Sequence, residues 1–136
     1  MRKTISIIAG LVLLVPLILV LWSFAEMGIN NYRLSNFAVQ LFEYALPIQT
    51  EVLEKKSDVG LLTGNGNHCD FIARMTVKTA LSKKEVEQHY SRIAPQQAIS
   101  GSSSEVHLVV SSLGEGTYLV EVVDAPNNPG FDWRCH

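Results

Sequence analysis

Three patterns of hydrophobic positions follow one another along this chain: an unbroken apolar run, a periodic stripe, and a series of short alternating segments. The run is Ile5 to Ala25, ISIIAGLVLLVPLILVLWSFA, with Lys3 before it, Glu26 after it and no charge inside. Its length matches the roughly 20 apolar residues a helix needs to cross a hydrocarbon layer about 30 Å thick. In lipid a lone segment satisfies its own backbone only as a helix, so the run predicts a membrane-spanning helix. Gly10 and Pro16 are tolerated there, and Pro16 is the place for a kink.

Glu26, Gly28, Asn30 and Asn31 end the run. Leu34, Phe37, Ala38, Leu41, Phe42, Ala45 and Leu46 then recur at i, i+3, i+4, i+7 and onward, the single apolar stripe of an amphipathic helix. Pro47 stops it, because the residue before a proline avoids helical backbone angles. The stripe needs a cover. The domain's own sheet is the first expectation, and a partner protein on the 34–46 helix is the second.

From residue 50 the period shortens. Val52 and Leu53 precede the charged run Glu54–Asp58, and Val59, Leu61 and Leu62 follow it, which reads as two short strands around a solvated turn. Asn65-Gly66 supplies a turn that accepts positive φ. Cys69 to Ala80 alternates: Cys69, Phe71, Ala73, Met75 and Val77 share an inner face, and Asp70, Arg74, Thr76 and Lys78 a solvated one, with Ile72 the exception. Ser82 and Glu85 have capping-box spacing inside the Leu81–Val86 staple, predicting a helix from Ser82 to about Ala94, where Pro95 ends it. Valine-rich segments at Glu105–Ser111 and Thr117–Asp124, joined by Ser112–Gly116, predict a hairpin.

The expected fold is α+β. An N-terminal transmembrane helix leads into a juxtamembrane amphipathic helix. A small antiparallel sheet of four or five strands follows, with one helix packed on the face of Phe71, Met75 and Val77. The domains are 1–25 as cytoplasmic stub and anchor, 26–48 as linker helix, and 49–136 as a small extracytoplasmic unit.

Charge sets the orientation. Arg2 and Lys3 precede the run, and Arg33 is the first basic residue after it. The positive-inside rule therefore puts the amino terminus in the cytoplasm and the domain outside, periplasmic or extracellular. Trp22 and Phe24 fall where an interfacial aromatic anchor sits. The rival is a signal peptide cut after Ser23-Phe24-Ala25, but the run is longer than a signal's apolar core. Setting Arg2 and Lys3 aside leaves nine basic residues against 13 acidic ones. That mild acidity argues against nucleic acid as a partner.

The compartment then bears on chemistry. Cys69 and Cys135 are the two cysteines, 66 positions apart, and outside the cytoplasm two cysteines in a small domain pair. A bridge would contribute about 4 kcal/mol by restricting the unfolded chain. A zinc site drawing on His68, Cys69, Cys135 and His136 is disfavoured. Neighbours in an extended chain point to opposite faces, and no Cys-x-x-Cys or His-x-x-x-His spacing is present. No metal and no cofactor is therefore expected. No Gly-x-Ser-x-Gly elbow or activated cysteine is evident, so the expectation is a protein that is not an enzyme.

A long apolar amino-terminal helix, its amphipathic continuation, an antiparallel sheet and a cysteine pair reaching the carboxyl end together resemble the layout of pilins. The leader motif departs from that family: Gly10 is followed by Leu11, and the fifth residue after it is Val15 rather than glutamate. The resemblance implies a filament subunit. The expectation ranked first is a membrane-anchored protein-interaction or assembly module. A ligand-binding domain or enzyme using the turn around Asn65, Asn67, His68 and Asp70 is the alternative, and the pilin-like subunit the third.

Overall fold

Helix α1 runs without interruption from Arg2 to Phe42 in the computed structural model, which describes residues 2–64, 66–127 and 130–136, and only the backbone of residues 2–11 and 13. The apolar run and the amphipathic stripe are thus one element. Gly28, alone in the join, costs a helix only about 1 kcal/mol, and the polar residues beside it are held by tertiary contacts described below. Between Leu14 and Phe24 the large apolar side chains lie open, Leu17 by 55% and Phe24 by 62%. Such exposure suits lipid and not water. Among the described residues one helical segment, Leu14–Phe42 near the amino terminus, is long and apolar enough to span a membrane.

The second half of α1 turns its stripe onto the sheet. Phe37, Ala38 and Leu41 are buried, and Leu34 and Phe42 pack at the margin. The helix ends at Phe42, short of the sequence expectation of Leu46. Glu43 N–H still bonds the Val39 carbonyl, while Tyr44 N–H bonds Leu41, tightening the last turn. Lys55 Nζ then donates to the Phe42 carbonyl at 2.7 Å, placing a cation on the negative end of the helix.

The sheet is antiparallel, in the order β1-β2-β4-β3, with β1 Thr50–Gly60, β2 Asp70–Thr79, β3 His107–Gly114 and β4 Thr117–Asp124. Between β2 and β3 lies α2, Lys83–Tyr90. Its Ser82 cap is the capping box foreseen in the sequence: Ser82 Oγ accepts from Glu85 N–H, and Glu85 Oε2 accepts from Ser82 N–H at 2.8 Å. The Ser82 hydroxyl, donating to the same oxygen at 2.6 Å, and then the Ser82 N–H hold the Glu85 carboxyl below its ordinary pKa. The helix stops at Tyr90 and not at Ala94, with Ser91 as its C-cap.

Two other expectations change. The charged run 54–58 is no turn: it lies within one continuous β1, paired with Ile72 to Thr76 of β2. As the outer strand, β1 exposes Glu51, Glu54, Lys55 and Lys56 and slips register between Val52 and Glu54, devices that discourage pairing with another sheet. Asp70, expected to be solvated, is buried, as is Ile72, the exception on that face.

Both helices cover one face. Phe71, Ala73, Met75 and Val77 of β2 join Val110, Val120 and Val122, with Phe37, Ala38 and Leu41 from α1 and Val86 and Tyr90 from α2, in a single core. Tyr90 Oη is buried without a hydrogen-bond partner among the described residues, and burial, with Tyr44 adding to it, pushes its pKa up to about 12. The opposite face carries a ladder across three strands, where Arg74 reaches Asp58 on β1 at 3.3 Å and Glu121 on β4.

Phe71→Ala should lower stability by about 3–5 kcal/mol, since it empties the centre of the core. Lys78→Ala on the open face should change it by about 0.5 kcal/mol or less. Urea unfolding of the full chain in detergent, followed by circular dichroism, compares the two.

Candidate functional site at the sheet end nearest the apolar run

One end of the sheet gathers most of the buried polar chemistry. β2 starts at Asp70 and β4 stops at Asp124, and the register pairs Phe71 with Asp124 and Gly60 with Asp70, so these strand ends coincide. Leu61 N–H donates to the Arg134 carbonyl at 2.7 Å, and Arg134 reaches Asn31 and the Met27 carbonyl of α1. This end of the sheet therefore sits beside the turn of α1 that follows the apolar run.

Three aspartates there are fully buried, and each holds a loop by its backbone. Asp70 Oδ2 accepts from Leu62 N–H at 2.9 Å, Thr63 N–H at 2.6 Å and the Thr63 hydroxyl at 2.9 Å, closing the β1–β2 connection. Asp124 Oδ2 accepts from Ala98 N–H at 2.7 Å, fixing the loop that leads to β3. Gln40 clamps the same loop from α1, bonding both the N–H and the carbonyl of Gln96. A buried carboxylate is costly unless it accepts several donors, and backbone N–H groups are the donors a loop has to offer.

Asp132 is the most heavily used. It caps the 3₁₀ turn Trp133–Cys135, its Oδ1 accepting from Arg134 N–H at 3.1 Å and Arg134 Nε at 3.0 Å. Its Oδ2 accepts from Arg134 Nη2 at 2.7 Å and from the buried Asn30 Nδ2 at 3.0 Å. Burial alone would raise its pKa; the hydrogen bonds from Arg134 and Asn30 outweigh burial and hold it below the ordinary value. Asn30 passes the connection on, its Oδ1 accepting from Arg33 Nη1 at 3.0 Å. The last residues of the chain thus form a hook, Gly130 to His136, folded against α1.

The residues singled out from the sequence fall as follows. Cys69 and Cys135 are buried side by side at disulfide distance, with Cα atoms 4.8 Å apart. Asn65 lies outside the described residues. Asn67 is exposed on the loop. His68 Nε2 is 2.6 Å from the Thr63 carbonyl, which can only accept, so that nitrogen carries the proton; Asp70 Oδ1 is 3.2 Å away. His68 and Oδ2 of Asp70 are therefore engaged by their own loop, Oδ1 of Asp70 is buried without a hydrogen-bond partner among the described residues, and none of five surface clefts includes Asn67, His68 or Asp70. On α2, His89 Nε2 contacts the Ala45 carbonyl at 2.6 Å. Among the described residues no group of three or more His, Cys, Asp or Glu side chains could hold a metal ion.

Asn30, Asp132 and Arg134 were not among the candidates. Asn30 carried a signal: it occupies the stripe position one turn before Leu34, where a polar residue needs a buried partner. Asp132 and Arg134 lay in a tail without periodicity. Compared with family models, curated proteins and solved structures, the chain finds no match in any of the three.

Asp132→Ala strands Asn30 and Arg134 and should cost about 1–3 kcal/mol. Because the folded pKa of Asp132 lies below its unfolded value of 3.8, its contribution is complete above that pH and fades as pH falls through the folded pKa. The gap between wild type and Asp132→Asn in urea midpoint should therefore narrow in acid. Unfolding curves across the pH range measure it.

Proposed function

We propose that the chain is a single-pass membrane protein, amino terminus in the cytoplasm, that presents a small domain outside as a protein-interaction or assembly module. The observation that carries this is the continuity of α1 from its exposed apolar half into the core of the domain. Such a helix holds a domain at a set height and angle above a bilayer, where a flexible linker would only tether it. Positioning of that kind serves assembly better than it serves turnover of a diffusing substrate, and the proposed role is not enzymatic. The cysteine pair is oxidised in this reading, tying the hook to β2.

Chemical crosslinking in cells followed by purification in mild detergent tests the role: a stoichiometric protein partner is expected, and a protein recovered solely as monomer contradicts it. A pilin-like filament subunit is the second reading, favoured by a long helix half packed on an antiparallel sheet. An intact amino terminus on the mature protein, read by mass spectrometry, excludes leader processing of that kind.

The unreduced protein should weigh two hydrogen atoms less than the reduced one. Reduction should lower stability by about 4 kcal/mol. Intact-mass measurement and urea unfolding with and without reductant check both.

A further inference from the structure

Two exposed aromatic side chains stand on the hook: Phe131, 56% exposed, and Trp133, 62% exposed. Both meet α1 at the end of its apolar run. The Phe131 ring packs edge-on against Trp22 with centroids 6.3 Å apart, and Trp133 Nε1 donates to Met27 Sδ at 2.8 Å. Leu61 and Leu62, also exposed, lie on the neighbouring loop at the same end of the sheet. Between the hook and α1 is a cleft of 240 Å³ lined by Trp22, Glu26, Asn30, Arg33, Ile99 and Phe131, with Gly130 at its wall. Glu26 lies against Gly130, where a Cβ would come within 3.3 Å of its carboxylate.

We propose that this cleft is a seat for a phospholipid head group, and that Phe131 and Trp133 enter the outer membrane interface as a second contact with the bilayer. The proposal rests on the membrane-spanning reading of α1. Residues 26–30 then fall in the head-group layer, which adds about 5–7 Å beyond the hydrocarbon. Helical side chains lean toward the helix amino terminus, here toward the membrane. Arg33 does so, reaching back one turn to Asn30, and no carboxylate pairs with it among the described residues. Its remaining N–H groups suit a phosphate. Glu26 supplies the opposite sign, so the cleft suits a head group carrying both phosphate and ammonium. Trp133, an aromatic ring with one polar edge, favours the interface just below, and Phe131 beside it adds apolar surface. Lipid is chosen over a protein occupant because Phe131 and Trp133 adjoin the exposed apolar run of α1, at Trp22 and Met27.

Two single-tryptophan forms of the full chain test this in bilayers whose acyl chains are brominated near the glycerol. Trp133→Phe leaves Trp22 to report the span, and Trp22→Phe leaves Trp133 to report the hook. Emission of both should fall clearly below that in unbrominated bilayers, since both rings sit at the interfacial depth of the bromines. Quenching of Trp22 without Trp133 overturns the second contact and leaves the span standing; quenching of neither removes the span itself. Native mass spectrometry from nanodiscs of equal phosphatidylethanolamine and phosphatidylglycerol tests the cleft. Retained phosphatidylethanolamine, lost severalfold in Arg33→Gln, is expected. Retention unchanged by Arg33→Gln, a preference for phosphatidylglycerol, or a protein crosslinked to the cleft in place of lipid overturns the head-group seat.

Discussion

Everything in this molecule follows from one helix having to satisfy two surroundings. From Leu14 to Phe24 its large apolar side chains lie open, an exposure that suits a hydrocarbon solvent. Its second half must be amphipathic, because only one side meets the sheet. Pro16 costs it a backbone hydrogen bond, yet the helix carries on through it to Phe42. Among the described residues the layer over the sheet's core face is α1 and α2. Remove the second half of α1 and β1 and β2 lose their cover.

Where the two halves meet, the helix needs polar partners, and the end of the chain supplies them. Asn30 is buried between Asp132 and Arg33, and Arg134 ties the same aspartate to Asn31 and Met27. The network is worth less as a sum of ion pairs than as a set of mutual obligations, since losing any member leaves a buried group without a partner. Asp70 and Asp124 follow the same logic on their own loops. Three carboxylates at one strand end look like catalytic chemistry in a sequence. Here both oxygens of Asp132 are taken by an amide, a guanidinium and a backbone N–H, and Oδ2 of Asp70 and of Asp124 by loop N–H groups, while Oδ1 of Asp70 and of Asp124 is buried without a hydrogen-bond partner among the described residues.

Much of this was legible in the residues. The apolar run, the stripe from Leu34, the alternating β2 and the Ser82 capping box are local patterns, and each forms where its pattern places it, except that the helix carrying the stripe ends at Phe42 and not at Leu46. Misreadings arose where a long-range contact decides. The 54–58 run looks like a turn because five polar residues in a row rarely form a strand, yet pairing with the strongly apolar β2 extends it. Asp70 alternates with polar neighbours and looks solvated, but the returning loop buries it. The hook was invisible because its order comes from residues about 100 positions away in α1, and no local period records that.

An account in which one rigid helix carries the domain stands or falls on the join between its halves. Hydrogen exchange of the full chain in nanodiscs, resolved across residues 26–33, measures that join directly. Slow exchange there, continuous with the protection of residues 34–42, is the result the account predicts. Fast exchange confined to 26–33, between two protected segments, would make that stretch a flexible linker and contradict it.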